Sequence, residues 1–361
     1  MKRSDQIPAR LPDLQQVVTP AEEQSPASKI AEQANICLLD VLGSGACGTV
    51  YTAVRYSDES PSREVAVKVI DVTPSTRGNV ERELAVLKHI TGSHMNVLEL
   101  QAHFQVETMI CLVFPLMRQD LGHILKRGGC FSTTKGLDCI GQVFSGLSFL
   151  HEQRVAHRDI KPENVLSDDD GGYKIADYDL SIVLSPHFEC ADMVGTLEYM
   201  APEALLLEAG RPVPHNPCLA DVWSAGVTFY QLTYGFTPFA SGDRHQTVHN
   251  ILGCTFATHD LDERASQLMS NCIVQVSGRL SASRAAALCH RMVEGPFPSP
   301  SPDPAPNSNL TWLTAAAASA ATLGLGAAVL AFPALGGLAV ACKLSAVPWP
   351  ALAAVYLAGE V

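Results

Sequence analysis

The feature that most limits the fold is the order of local patterns: the long strand-like runs all precede residue 120, and helical spacing dominates after it. From Ile36, ICLLDVLGSGACGTVYTAVRY is apolar and β-branched but broken by glycines, which predicts two strands joined by a turn. EVAVKVIDV (64–72) predicts a third strand, and MICLVFPL (109–116) a buried one that Pro115 terminates. Between them, NVERELAVLKHI (79–90) sets Leu84, Leu87 and Ile90 at helical steps with Val80 and Val86 alongside. TTKGLDCIGQVFSGLSFLHEQ (133–153) repeats that spacing over a longer stretch. Strands followed by helices predict an α+β chain: a small, mainly β part with one helix, then a larger helical part.

Composition sets the borders of this globular stretch. Residues 1–35 are rich in Gln, Pro, Ser and Glu, bury little apolar area, and are expected to form a disordered arm. ALLLEAGRPVPHNPCLA (204–220) reads as a loop between helices, and the proline-rich 294–309 as an extended linker. From Leu310 to Cys342 there is no charged residue, and only Lys343 interrupts before Glu360. That length exceeds the roughly 20 apolar residues a membrane-spanning helix needs. Much of it is alanine and glycine, however, and Pro333 falls mid-run, so 310–361 is read either as a membrane anchor or as a low-complexity tail or buried helix.

A net charge of −12 argues against sequence-independent binding to nucleic acid, which rests on lysines and arginines neutralising phosphates. The same acidity tolerates basic peptides. Eleven cysteines without a CxxC pair fit neither a disulfide framework nor a zinc site, and point to a reducing, cytosolic setting. The N-terminal residues lack the apolar core of a signal peptide.

Three motifs carry chemistry. GSGACGTV (43–50) places glycines at its first, third and sixth positions; alone it fits a dinucleotide-binding turn or an ordinary hairpin, but strand-like residues flank it on both sides. In Val65-Ala66-Val67-Lys68 the lysine shares a face with Ala66, and a buried lysine needs an anion, which the helix near residue 79 offers. HRDIKPENVLSDDDGGYKIADYD (157–179) spaces Asp159, Lys161, Asn164 and Asp177 as phosphoryl transfer from a metal-bound nucleotide requires.

Together these motifs resemble those of the eukaryotic protein kinases, over about residues 36–293. The resemblance implies a two-lobed fold, with an N-lobe at 36–114 and a C-lobe at 118–293, that binds ATP and Mg2+. Gly43, Ser44, Gly45, Ala46, Cys47 and Gly48 would cover the phosphates, and Lys68 would contact them. Glu83 would pair with Lys68 in preference to Glu81, which points to a different helix face. Phe114, Leu116 and Met117 match the adenine-binding hinge, and Val50, Ala66 and Leu166 the positions that sandwich the ring. Asp159 is the implied base, Lys161 and Thr196 its catalytic partners, and Asn164 and Asp177 the implied magnesium ligands. Lys161-Pro162-Glu163 and Thr196 match the serine/threonine type.

Further correspondences concern the frame. Asp221 matches an aspartate that holds the catalytic-loop backbone, and Arg279 an arginine that pairs with Glu203 of A-P-E. Asp192 occupies a position often phosphorylated in relatives; it could pair with Arg158 as a permanent charge, or be an incidental loop aspartate. Ser181 and Ser185 are candidate modification sites, and Cys47 is either redox-sensitive or a small filler. The metal motif departs from the family's D-F-G: Asp177-Tyr178-Asp179 keeps an aromatic ring but replaces glycine with aspartate. Asp179 would either point to solvent in a competent loop or disturb metal and nucleotide handling. The implied function is therefore a serine/threonine protein kinase acting on protein substrates, with a catalytically impaired nucleotide-binding scaffold as the alternative. A membrane-anchored form would keep this domain on the cytosolic side.

Overall fold

The described residues open with α1 (Pro26–Ala34), β1 (Ile36–Gly45), β2 (Gly48–Arg55), β3 (Arg63–Asp71), α2 (Arg77–His89), β4 (Ala102–Val106) and β5 (Met109–Pro115). The structure is a computed structural model describing residues 26–295, apart from 46–47, 57–61, 169, 188, 209–210 and 257–261. The five strands pair antiparallel in the order β1-β2-β3-β5-β4.

Strand alternation gives β3 two unlike faces. Val65 and Val67 enter an outer apolar layer with Ile36, Ala53, Val106, Cys111 and Val113. Ala66, Lys68 and Ile70 face the opposite way, where Ile70 and Leu112 pack with Val80, Val86 and Leu87 of α2. One strand thus joins a dry layer to the side on which α2 lies.

The arm expected to be disordered through residue 35 is corrected from Pro26 onward. PASKIAEQA is helical and seats Ile30, fully buried, in the outer layer, while Lys29 Nζ bonds Glu107 Oε1 at 2.8 Å. A single isoleucine among small residues suffices because the sheet supplies the rest of the apolar surface. Residues 1–25 lie outside the described residues, as do the linker beyond residue 295 and the apolar tail at 310–361. Among the described residues, no helix is long and apolar enough to cross a membrane.

After the sheet come β6 (Gln119–Asp120), α3 (Leu121–Lys126), α4 (Thr133–Glu152), β7 (Val155–Ala156), β8 (Val165–Ser167), β9 (Tyr173–Ile175) and β10 (Ile182–Val183). A two-stranded hairpin follows, β11 (Leu207–Glu208) with β12 (Arg211–Pro212), then α5 (Pro217–Tyr234), α6 (Arg244–Leu252), α7 (Glu263–Cys272) and α8 (Ala282–Glu294). α4 starts where Ser132 accepts a hydrogen bond from Lys135 N, and buries Leu137, Ile140, Val143, Phe144, Leu147 and Leu150. α5 begins at an Asn216 cap with Pro217 in its first turn, and buries residues around its circumference, as a central core helix must. The fold is α+β, a β-rich lobe followed by a helical lobe.

Candidate active site

The short strands of the helical lobe fix the loops between them. β6 pairs with β8 and β8 with β9, so the loop before β8 and the loop after β9 lie together. β7 pairs with β10, closing the other side of the same loops. The first carries residues 157–164 and the second Asp177 to Asp179.

Asp221 of α5 pins the first loop. This carboxylate, 1% exposed, accepts from His157 N at 2.9 Å, Arg158 N at 2.7 Å and His151 Nε2 at 2.9 Å. Those bonds hold Arg158 at φ +69°, a left-handed conformation that residues other than glycine rarely adopt. His157 Nε2 donates to Ala176 O, and its Nδ1 accepts from Asp159 N, which links the two loops. Tyr178 packs its ring edge-on to His157 at 5.5 Å and donates its hydroxyl to Ile175 O, so the group added relative to phenylalanine is satisfied. Tyr178 and Leu87 belong to one buried cluster.

Four donors converge on the Asp159 carboxylate. Lys161 Nζ lies 2.6 Å and Asn164 Nδ2 3.0 Å from Oδ2, while Thr196 gives its N at 3.1 Å and its Oγ1 at 2.9 Å to Oδ1. Lys161 also reaches Thr196 Oγ1 at 3.0 Å. Gly195, beside Thr196, has φ +112°, and a Cβ there would fall 2.7 Å from Arg158 O. Only glycine lets this segment approach the loop so closely.

Lys68 stands opposite, 9% exposed. Its ammonium contacts Glu83 Oε1 at 2.8 Å, Asp177 Oδ1 at 3.2 Å and Asp179 Oδ1 at 2.6 Å. Glu83 is buried on α2, whereas Glu81 is exposed and lies within 3.8 Å of Arg77. Burial works against the Lys68 charge, but the three carboxylates outweigh it and hold the ammonium protonated well above the usual lysine range. Burial, with Asp179 and Asp177 nearby, lifts Glu83 to about 7 against the opposing pull of Lys68. Burial and the neighbouring Asp179 likewise raise Asp177.

The third carboxylate corrects one expectation from the sequence. Asp179 does not point to solvent: 17% of its side chain is exposed, and it makes the shortest of the three contacts to Lys68. Nor does it carry backbone strain, because the left-handed residue of the motif is Asp177, at φ +65°. The aspartate itself was visible in the sequence, but its partner was not.

The remaining expected residues fall as follows. Gly43, Ser44 and Gly45 end β1 and Gly48 opens β2, with Gly45 opposite Gly48. Gly48 has φ +122°, and a Cβ there would meet Val69 O at 2.5 Å. Ala46 and Cys47 lie outside the described residues. Val50 pairs with Lys68, and Ala66 with Phe114, which is 8% exposed. Ala66, Met117 and Leu166 pack partly buried against the main core, and Leu116 is half-buried just past β5.

Arg158 Nη1 bonds Asp192 Oδ2 at 2.8 Å while its Nε donates to Leu180 O at 2.6 Å. Arg279 pairs with both oxygens of Glu203, its Nη2 at 3.0 Å from Oε2, and stacks 5.1 Å from the Trp223 ring. These buried partners join 201–203 to the start of α5, where Arg279 also donates to Leu219 O.

Glu83, Asp177 and Asp179 each offer an oxygen within 4.8 Å of the others. Among the described residues, the Asn164 side chain donates through Nδ2 while its amide oxygen accepts no hydrogen bond. These donors are hard oxygens of the kind magnesium prefers.

Comparisons with known proteins identify the family of the chain. The chain is 32% identical over 268 residues to the Drosophila melanogaster "Serine/threonine-protein kinase fused", covering 71% of this chain and 31% of that protein. It is 30% identical over 268 residues to the Oryza sativa "Calcium/calmodulin-dependent serine/threonine-protein kinase 1", covering 70% and 43%. It is 36% identical over 202 residues to the Trypanosoma brucei "Cell division control protein 2 homolog 3", covering 55% and 62%. The chain thus spans between 31% and 62% of the length of these curated relatives. The protein kinase domain profile matches residues 37–293, most of the sequence, and the chain belongs to the protein kinase domain family.

Proposed function

We propose that this chain is a serine/threonine protein kinase that transfers the γ-phosphate of ATP to protein hydroxyls. The observation that carries the proposal is the Asp159 cluster, in which Lys161, Asn164 and Thr196 hold both carboxylate oxygens. A base so fixed can orient a substrate hydroxyl and accept its proton as the phosphoryl group transfers. Lys161, 2.6 Å from that carboxylate, adds positive charge where the transferring group becomes more anionic. Lys68, held by Glu83, serves the nucleotide phosphates, and Gly48 lets the start of β2 lie close against β3.

The Asn164 amide oxygen and Asp177, with Asp179 beside it, would hold magnesium, which when bound supplies divalent charge to the phosphates. Three carboxylates gather around one ammonium at the Lys68 site, and burial with mutual repulsion raises Glu83 and Asp177, so a divalent cation suits the donor set. Asp192 supplies Arg158 with the anion that a phosphorylated residue would otherwise provide.

One observation favours the alternative, a nucleotide-binding scaffold: Asp179 occupies the lysine that the phosphates need. Radiolabelled phosphate transfer from ATP with magnesium separates the two. The kinase labels itself or a basic protein, and Asp159→Asn abolishes labelling while ATP binding persists. Nucleotide binding by the wild type with no transfer under any divalent cation would establish the scaffold.

A further inference from the structure

The segment between the two loops and A-P-E carries a nucleophile that phosphoryl transfer does not use. Cys190 and His215 pair through their backbones, with Cys190 N to His215 O at 3.0 Å and His215 N to Cys190 O at 2.9 Å. Their side chains meet as well, Sγ lying 3.8 Å from Nε2. His215 Nδ1 is 3.1 Å from Val213 O, an acceptor only, so Nδ1 carries the proton and Nε2 presents its lone pair to the thiol. Nucleophile, base and a group orienting the base are the three parts of an activated cysteine.

The surroundings reinforce this arrangement. His215 lines a cleft shared with Arg158, Asp159, Asp192 and Thr196. Burial opposes ionisation of Cys190, but the His215 contact, the Asp192 backbone N–H and the Arg158 charge outweigh it and lower the thiol below its ordinary value. Burial opposes protonation of His215, and the bonds to Cys190 and Val213 O, with the charge of Glu203, outweigh it. The charged and titratable groups facing the pair are Arg158, Asp192, Glu203 and Cys218. Elsewhere burial suppresses thiol chemistry, pushing Cys111 and Cys289 up to about 12. Cys190 is only half-buried.

We propose that Cys190, with His215 as its base, is a thiol-modification site that reacts with low-molecular-weight disulfides and soft electrophiles. The thiol proton passes to His215 Nε2, and the sulfur attacks one sulfur of a disulfide RSSR. A Cys190–S–S–R bond forms as the S–S bond of RSSR breaks. The departing thiolate takes the proton from the imidazolium and leaves as RSH, so Cys190 is oxidised and the disulfide reduced. The adduct sits two residues before Asp192, where it separates that carboxylate from Arg158. Its effect on phosphoryl transfer rests on the kinase reading, whereas the thiol chemistry does not.

Peptide-resolved mass spectrometry of the full chain exposed to iodoacetamide tests the site, with exposed Cys130 as the internal reference. At pH 6.5, Cys190 is expected to alkylate about tenfold faster than Cys130, because His215 Nε2 is placed to take the thiol proton as the sulfur attacks. His215→Phe should bring the two rates within about twofold, at an unchanged melting temperature. A wild-type ratio near one, or a ratio unaffected in folded His215→Phe, overturns the proposal. The wild-type pH profile provides the same test without a substitution: as pH rises, the Cys190 rate should level off at a lower pH than the Cys130 rate, and coincident profiles would refute it. Oxidised glutathione should form one adduct on Cys190 and lower kinase activity severalfold, reversed by dithiothreitol and absent in Cys190→Ser. An adduct without loss of activity leaves the site standing and overturns its coupling to the Asp192–Arg158 contact.

Discussion

Replacing Asp179 with asparagine removes one negative charge from Lys68 while keeping the side chain's shape. In the metal-free protein the site holds one ammonium and three carboxylates, and incoming phosphates must displace Asp179 from Lys68 or lie beside it. At an effective dielectric constant of about 20, a unit charge about 5 Å from another contributes about 3 kcal/mol. Mobile ions and the 17% exposure of Asp179 reduce that to about 1.4 to 2.8 kcal/mol, or about 10- to 100-fold in affinity. Isothermal titration calorimetry of ATP in EDTA should therefore show Asp179→Asn binding about 10- to 100-fold more tightly than wild type. With magnesium the gain should shrink to a few-fold, because the cation then neutralises the carboxylates. If Asp179→Asn binds metal-free ATP no more tightly than wild type, Asp179 is not competing for Lys68.

Other outcomes follow from single contacts. Asp192→Ala should lower turnover severalfold, and added salt should narrow the difference, because Asp192 is 62% exposed and its pairing with Arg158 is screened. Glu83 binds its proton more tightly folded than unfolded, so between about 4.5 and about 7 its contribution to stability declines as pH rises. Glu83→Gln should flatten that part of the metal-free melting-temperature profile; an unchanged slope would show that another group sets it. Ile30→Ala should destabilise the domain by about 2 to 5 kcal/mol in urea, and a loss below about 0.5 kcal/mol would mean that α1 does not seal the sheet.

Much of the site was legible in the sequence because its parts are close in the chain or tied to a periodic pattern. Asp159, Lys161 and Asn164 fall within one short loop, and Glu83 rather than Glu81 follows from helix phase, since only Glu83 shares the buried face with Leu87. Asp192 with Arg158, and Arg279 with Glu203, came from the resemblance alone, and no local spacing predicts either contact. Helix α1 was missed because composition averages over 26–34, whereas Ile30 is held by a sheet formed from residues further along the chain. The Asp179 contact was hidden for a related reason: it spans 111 positions to Lys68, and a departure from a motif does not name the side chain that answers it. The Cys190–His215 pair sits in two segments that sequence patterns treat as loops.

The alternation along β3 has a consequence for assembly. Val65 and Val67 fill the layer sealed by Ile30, and Ala66 and Lys68 the side toward Glu83. A slip of one residue would drive the Lys68 ammonium into that dry layer, which offers it no anion, and would turn Val67 toward three carboxylates. Misregistered pairing is therefore penalised on both faces at once. The residue proposed to bind the nucleotide phosphates would also proofread the sheet, and a substitution of Lys68 by a neutral residue would loosen strand registry.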